Sequence, residues 1–140
     1  MDSAPTPVPK IAVVVRSDLE LWQKLNVTGF LVSGIGTTRP DLIGEPYADA
    51  SGGTYLPMFG HPVLVYAGDG PSVTRAFQRA QARGLPTAVF TDDLFATDND
   101  VDNRAAVAKV ATDDLALAGF AVVGPRRTVD KALDKLRLHR

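Results

Sequence analysis

The chain has 140 residues, 15 Lys and Arg against 16 Asp and Glu, a formal net charge of -1 and no cysteine. That length fits one domain and hardly two, and 45% hydrophobic against 22% charged residues supports a buried core. The missing cysteines exclude disulfide scaffolds and thiol chemistry, two histidines leave little for a metal site, and the near-neutral charge speaks against a dedicated nucleic-acid binder.

Met1 to Lys10 holds three prolines and no apolar run, so it reads as a loose tail (residues 1–10) without a secretion signal, on a cytoplasmic protein. Ile11 to Arg16 is a continuous run rich in β-branched residues, as in a strand buried on both faces. It is too short for a bilayer span, which needs roughly 20 apolar residues. Ser17-Asp18 reads as an N-cap, and a helix is expected over about 19–34 with Trp22, Leu25, Gly29 and Val32 on its packing face. The segment 35–60 is rich in Gly, Pro, Thr and Asp, and Tyr47 to Tyr55 reads as a small hairpin around Gly52-Gly53.

A second main strand is expected over 62–67 and a helix over 72–83, stopped by Gly84. A third strand follows at 87–91, a short helix near 103–111, a fourth strand at 117–123 and a closing helix over 128–138. Strands alternating with helices give an α/β domain, residues 11–140, around a mostly parallel sheet.

Most motif-like strings fail on inspection. Gly34-Ile35-Gly36 lacks the third glycine of a dinucleotide fingerprint and leaves a helix where it should leave a strand. Asp98 to Asp102 has calcium-loop spacing, but Asn103 and Lys109 replace the glycine and the glutamate such a loop requires. The turn Gly68 to Ser72 offers backbone N–H groups, yet Asp69 opposes an anion there. Arg75, Arg79 and Arg83 form a basic stripe of the kind that is usually a wet helix face, and the C-terminal patch of Arg126, Arg127, Lys131, Lys135, Arg137 and Arg140 fits an anionic ligand or a dipole-matched last turn. His61 and His139 receive no role. No cofactor or metal is expected.

The first strand–helix junction is more informative. Arg16 and Asp18 flank it, and Lys24, Asn26 and Thr28 place polar groups on a helix that is otherwise largely apolar. A half-exposed helix with its polar side in water explains them as well as a ligand cleft at the carboxyl ends of the strands does. Thr91-Asp92 leaves the third strand at that end, so Asp92 is expected to face Lys24 as an acid–base pair.

At these positions the sequence resembles the archaeal and eukaryotic (type II) peptidyl-tRNA hydrolases. Val14-Val15-Arg16-Ser17-Asp18-Leu19 is similar to that family's opening strand and turn, Gly84 to Asp92 to its strand ending in Thr-Asp, and Val123-Gly124-Pro125 to its Gly-Pro turn. Leu25 stands where the family has its functional lysine, with Lys24 one position early; one helical step rotates a side chain by about 100°. The chain more closely resembles an uncharacterised family, domain of unknown function 2000, through Trp22 to Thr28, Ile43 to Tyr47, Tyr55 to Met58, Phe95 to Thr97 and Asn103-Arg104. The resemblance implies a three-layer α/β/α sandwich with a four-stranded mixed sheet, and no established activity.

The expectation is therefore a polar cleft between the first helix and the loop after the third strand, taking a small or nucleotide-derived ligand. Lys24 and Asp92 are the candidate catalytic pair if it hydrolyses that ligand, with Arg16, Asp18, Asn26 and Thr28 as binding groups. The alternatives are peptidyl-tRNA hydrolysis, for which a tRNA partner is not favoured, and a non-enzymatic homodimer built on the 35–60 excursion. No membrane association is expected.

Overall fold

Strand β1, Pro9–Arg16, is the axis of the molecule, because both of its edges and both of its faces are covered. The computed structural model describes residues 8–140. Along the chain follow α1 (Leu21–Thr38), the two-residue arms β2 (Tyr47–Ala48) and β3 (Thr54–Tyr55), β4 (Val63–Gly68), α2 (Gly70–Ala82) and β5 (Thr87–Thr91). Then come α3 (Asp100–Ala108), β6 (Leu117–Pro125), α4 (Arg126–Ala132) and β7 (Arg137–Leu138), with short 3-10 turns between.

The main sheet has five strands in the order β5-β6-β1-β4-β7. Only β1 and β4 pair in parallel; β1 with β6, β5 with β6 and β4 with β7 are antiparallel. A mixed sheet replaces the mostly parallel one the alternation suggested, and it has five strands in place of four. The described residues thus form a mixed α/β fold with four helices and a separate two-stranded ribbon. The alternation of β1 divides the core. Ala12 and Val14 pack with α2 and α4 around Phe77, Phe120 and Val129, while Ile11, Val13 and Val15 pack with Val27, Leu31 and Ile35 of α1. Continuous apolar sequence is what a strand buried on both faces requires.

Four differences from the sequence reading have physical causes. Pro9 and Lys10, expected in the tail, belong to β1, where they pair with Pro125 and Gly124; residues 1–7 of that expected tail lie outside the described residues. Helix α1 starts later and ends later than expected. Asp18 spends its carboxylate on Arg16 Nε, 2.5 Å away, and Glu20 becomes the N-cap, its N–H donating to Gln23 Oε1 at 2.9 Å. The face of α1 that meets the sheet is Val27, Leu31 and Ile35, whereas Trp22 and Leu25 are 61% and 66% exposed.

The closing helix also ends early. Arg79 of α2 donates to the carbonyls of Ala132 (2.8 Å) and Asp134 (2.6 Å), satisfying groups a helix end leaves open. Lys135 then takes a left-handed φ of 78°, and Arg137–Leu138 runs out extended along β4. The hairpin at 47–55 forms as its Gly-Gly turn implied, with Gly52 at φ 85°.

Candidate functional site

Because β5 and β1 are both antiparallel to β6, and β4 is parallel to β1, the carboxyl ends of β1, β4 and β5 lie at one end of the sheet. Arg16 ends β1 there with its side chain only 17% exposed. Its Nε donates to Asp18, while Nη1 donates to both oxygens of Asp92 (2.9 and 3.0 Å) and to the carbonyl of Leu117 (3.0 Å). Burial pulls the Arg16 pKa down, but hydrogen bonds to Asp18 and Asp92 more than offset it, so the guanidinium is held charged. One arginine thereby ties the first strand to the segment after β5 and to the start of β6.

That segment carries the wall of a cavity. Asp92 opens the 3-10 turn Asp92–Ala96, which presents Leu94 and Phe95 toward α1. Trp22, Phe30, Phe90 and Phe95 form an aromatic chain: Trp22 meets Phe95 edge-on at 6.0 Å, Phe95 meets Phe90 at 5.0 Å, and Phe90 meets Phe30 at 5.7 Å. The cavity between them measures about 380 Å³ and is bordered by Asn26, Thr97, Asp98, Asn99, Asp100 and Asn103. It shares Phe30, Phe90, Leu94, Asp100 and Asn103 with a second hollow of about 580 Å³ that runs under α3.

The polar border is partly committed to holding the loop. Asn99 caps α3, accepting from Asp102 N at 2.8 Å, and its Nδ2 donates to Asp98 and Asp102. Thr97 Oγ1 donates to Asn103 Oδ1, and Arg104 pairs with Asp100. The amide of Asn26 has no side-chain hydrogen bond among the described residues and stands at the border of the cavity. Among the described residues no lysine or arginine lines the 380 Å³ cavity.

The sequence-derived candidates separate into three groups. Arg16, Asp18 and Asp92 come together; Asn26 borders the cavity; Lys24 and Thr28 go elsewhere. Lys24 Nζ lies 3.2 Å from Nε2 of His139, a residue given no role from sequence, and Thr28 Oγ1 donates to the Lys24 carbonyl within α1. Among the described residues no hydrogen bond or ion pair joins Lys24 to Asp92; Arg16 holds the carboxylate. The aromatic side chains are what sequence reasoning missed. Trp22 was assigned to the core by its spacing, although a tryptophan one turn from Asn26 and a Phe95 shortly after β5 were the available signals.

Among the described residues no cluster of three or more His, Asp or Glu could hold a metal ion, and no helix is long and apolar enough to cross a membrane. No curated protein matches the chain. A solved structure of a protein of unknown function from Agrobacterium tumefaciens strain C58 is 39% identical, superimposes with a TM-score of 0.92 and covers 94% of this chain and 98% of its own. The family described as "protein of unknown function (DUF2000)" matches residues 9–140. The chain therefore belongs to the DUF2000 family.

Proposed function

We propose that the chain is a small-molecule-binding domain whose ligand carries a planar ring, held in the aromatic cavity between α1 and the segment after β5. The observation that carries this reading is the cavity itself, with four aromatic side chains along its walls and the free amide of Asn26 at its border. Its volume falls within the range of small-ligand sites, about 300–1,000 Å³. Aromatic walls favour stacking or edge contact with a ring, and amides supply orientation by hydrogen bonds to its rim. The sequence strings that carry the family resemblance support it too, since Trp22, Asn26, Phe95, Thr97 and Asn103 all border this one cavity.

Binding is favoured over hydrolysis. Both oxygens of Asp92 accept from Arg16, and Lys24 reaches His139, so the two are not arranged around a common atom. The nucleoside part of a nucleotide-derived ligand suits the cavity better than its phosphates, because no cation lines it. Helices on both faces of the sheet support a three-layer arrangement like that of the type II peptidyl-tRNA hydrolases, without carrying over their chemistry.

Trp22 is the sole tryptophan and lies in the wall, so its fluorescence reads occupancy directly. In a screen of nucleosides and related ring compounds, a ligand is expected to shift Trp22 emission. Asn26→Ala should then weaken binding about tenfold, the effect of losing one hydrogen bond. Ligands that stabilise the protein while leaving Trp22 emission and Asn26 dependence untouched would overturn this site.

Self-association is a second reading. The excursion presents Tyr47, Tyr55, Leu56 and Met58 to solvent, and residues of this kind are enriched at interfaces between subunits.

A further inference from the structure

A third and larger hollow lies away from the other two, between α2 and α4 where they run side by side across the opposite face of the sheet. It measures about 930 Å³, and its lining includes Arg79, Arg83, Arg126, Arg127 and Lys131 with only Asp130 and Asp134 as counter-charges. One of these two carboxylates is already matched by a cation outside the lining, which leaves Asp134 alone against five cations. Asp130 is held from below by Lys10, a lysine only 7% exposed whose Nζ lies 2.5 Å from Asp130 Oδ1 and 2.6 Å from the Tyr66 hydroxyl. Asp134 forms no ion pair among the described residues.

The five cations are likewise without an acidic partner among the described residues, whereas Arg16, Arg39 and Arg104 each have one. Arg79 is fixed in place by its bonds to the Ala132 and Asp134 carbonyls, and Arg126, Arg127 and Lys131 are exposed on α4. In a chain of net charge -1 this concentration is a local one.

We propose that this groove binds a compact anion carrying two or more phosphoryl groups. Several guanidinium groups around one hollow match phosphoryl oxygens in charge and in fork geometry. Compactness follows from the rest of the surface. The groove is a single hollow of about 930 Å³, and a chain of net charge -1 offers no general attraction to an extended polyanion beyond it. This site is independent of the aromatic cavity and does not rest on it.

The test is titration calorimetry of the full chain with inorganic tripolyphosphate in low salt, compared with a double variant Arg126→Gln/Arg127→Gln and a control variant Arg75→Gln/Lys109→Gln. The control removes the same charge from exposed residues that do not line the groove. The groove variant is expected to bind about tenfold or more weakly at an unchanged melting temperature, and the control within about twofold of the parent. The parent's affinity should also fall on raising salt from 50 to 200 mM, roughly in proportion to the number of phosphoryl contacts. Equal weakening in both variants, no measurable binding, or tighter binding of a single-stranded oligonucleotide than of tripolyphosphate at equal salt would each overturn the proposal.

Discussion

Gly119 of β6 lies directly beneath α1. A Cβ at this position would approach the Val14 carbonyl oxygen to 2.6 Å and Val27 Cγ1 to 3.0 Å. The first contact is with backbone in the central strand pair, which cannot move aside without breaking the ladder. Gly119→Ala is therefore expected to destabilise the fold by about 2–3 kcal/mol, the range for overpacking a filled core, measured as a lowered urea midpoint at unchanged slope. Arg16 makes a different kind of contribution, since its guanidinium is the common partner of Asp18, Asp92 and the Leu117 carbonyl. Arg16→Lys keeps the charge and loses the fork, so a loss of about 1–2 kcal/mol is expected. If Asp92 positions the Phe95 wall as described, the same variant should also redden Trp22 emission.

At the scale of elements, the junction of α2, α4 and β7 depends on one side chain. Arg79→Ala leaves the Ala132 and Asp134 carbonyls without their donor. Faster amide exchange is expected at Leu136 and His139, whose N–H groups bond to Leu133 and Val65, before any change in β1. Strands β1, β4, β5 and β6 and helix α2 were legible because their signals are local: a β-branched run for β1, the turn chemistry around Gly84 for β5, and Pro71 in the first turn for α2. The end of α4 was not legible, because a leucine spacing compatible with helix was overridden by a hydrogen bond from Arg79, which is distant in sequence. The orientation of α1 was misread for a related reason. Its N-terminal apolar residues face a cavity and solvent, so periodicity alone selected the wrong stripe. The grouping of Arg16, Asp18 and Asp92 was legible from their place at strand ends, whereas the contact of Lys24 with His139 depended on where the penultimate residue of the chain folds back.

For the whole molecule, the charged groups define the pH range of stability. Hydrogen bonds from Ser72 hold the Asp69 carboxyl below the usual range; Tyr55, with the Gly53 and Ser51 N–H groups, does so for Asp49, and Arg39 for Asp41. Each binds its proton less readily when folded than when unfolded. Their stabilisation is complete above the unfolded carboxylate pKa of about 3.9 and is lost as pH falls below it. Thermal melts followed from pH 6 to pH 2.5 should show this decline, and Asp69→Asn should make it shallower. Lys10 acts at the other end: burial lowers its pKa, but Asp130 and Tyr66 more than compensate, so its contribution is present below the unfolded lysine pKa and lost on strongly alkaline titration. If the exposed Tyr47, Tyr55, Leu56 and Met58 form a subunit interface, sedimentation should show a dimer that Leu56→Asp dissociates.

The position of β1 has a further consequence. Val13 is paired with Val65 on one side and with Ala121 on the other, so the strand made first is flanked by partners from the middle and the far end of the chain. During synthesis its apolar faces have no complete shelter until β6 has emerged. Folding is then governed by closing long loops and is expected to be slow for a domain of this size. A fragment that ends before Leu117 should remain susceptible to proteases and bound by chaperones, while the full chain should not.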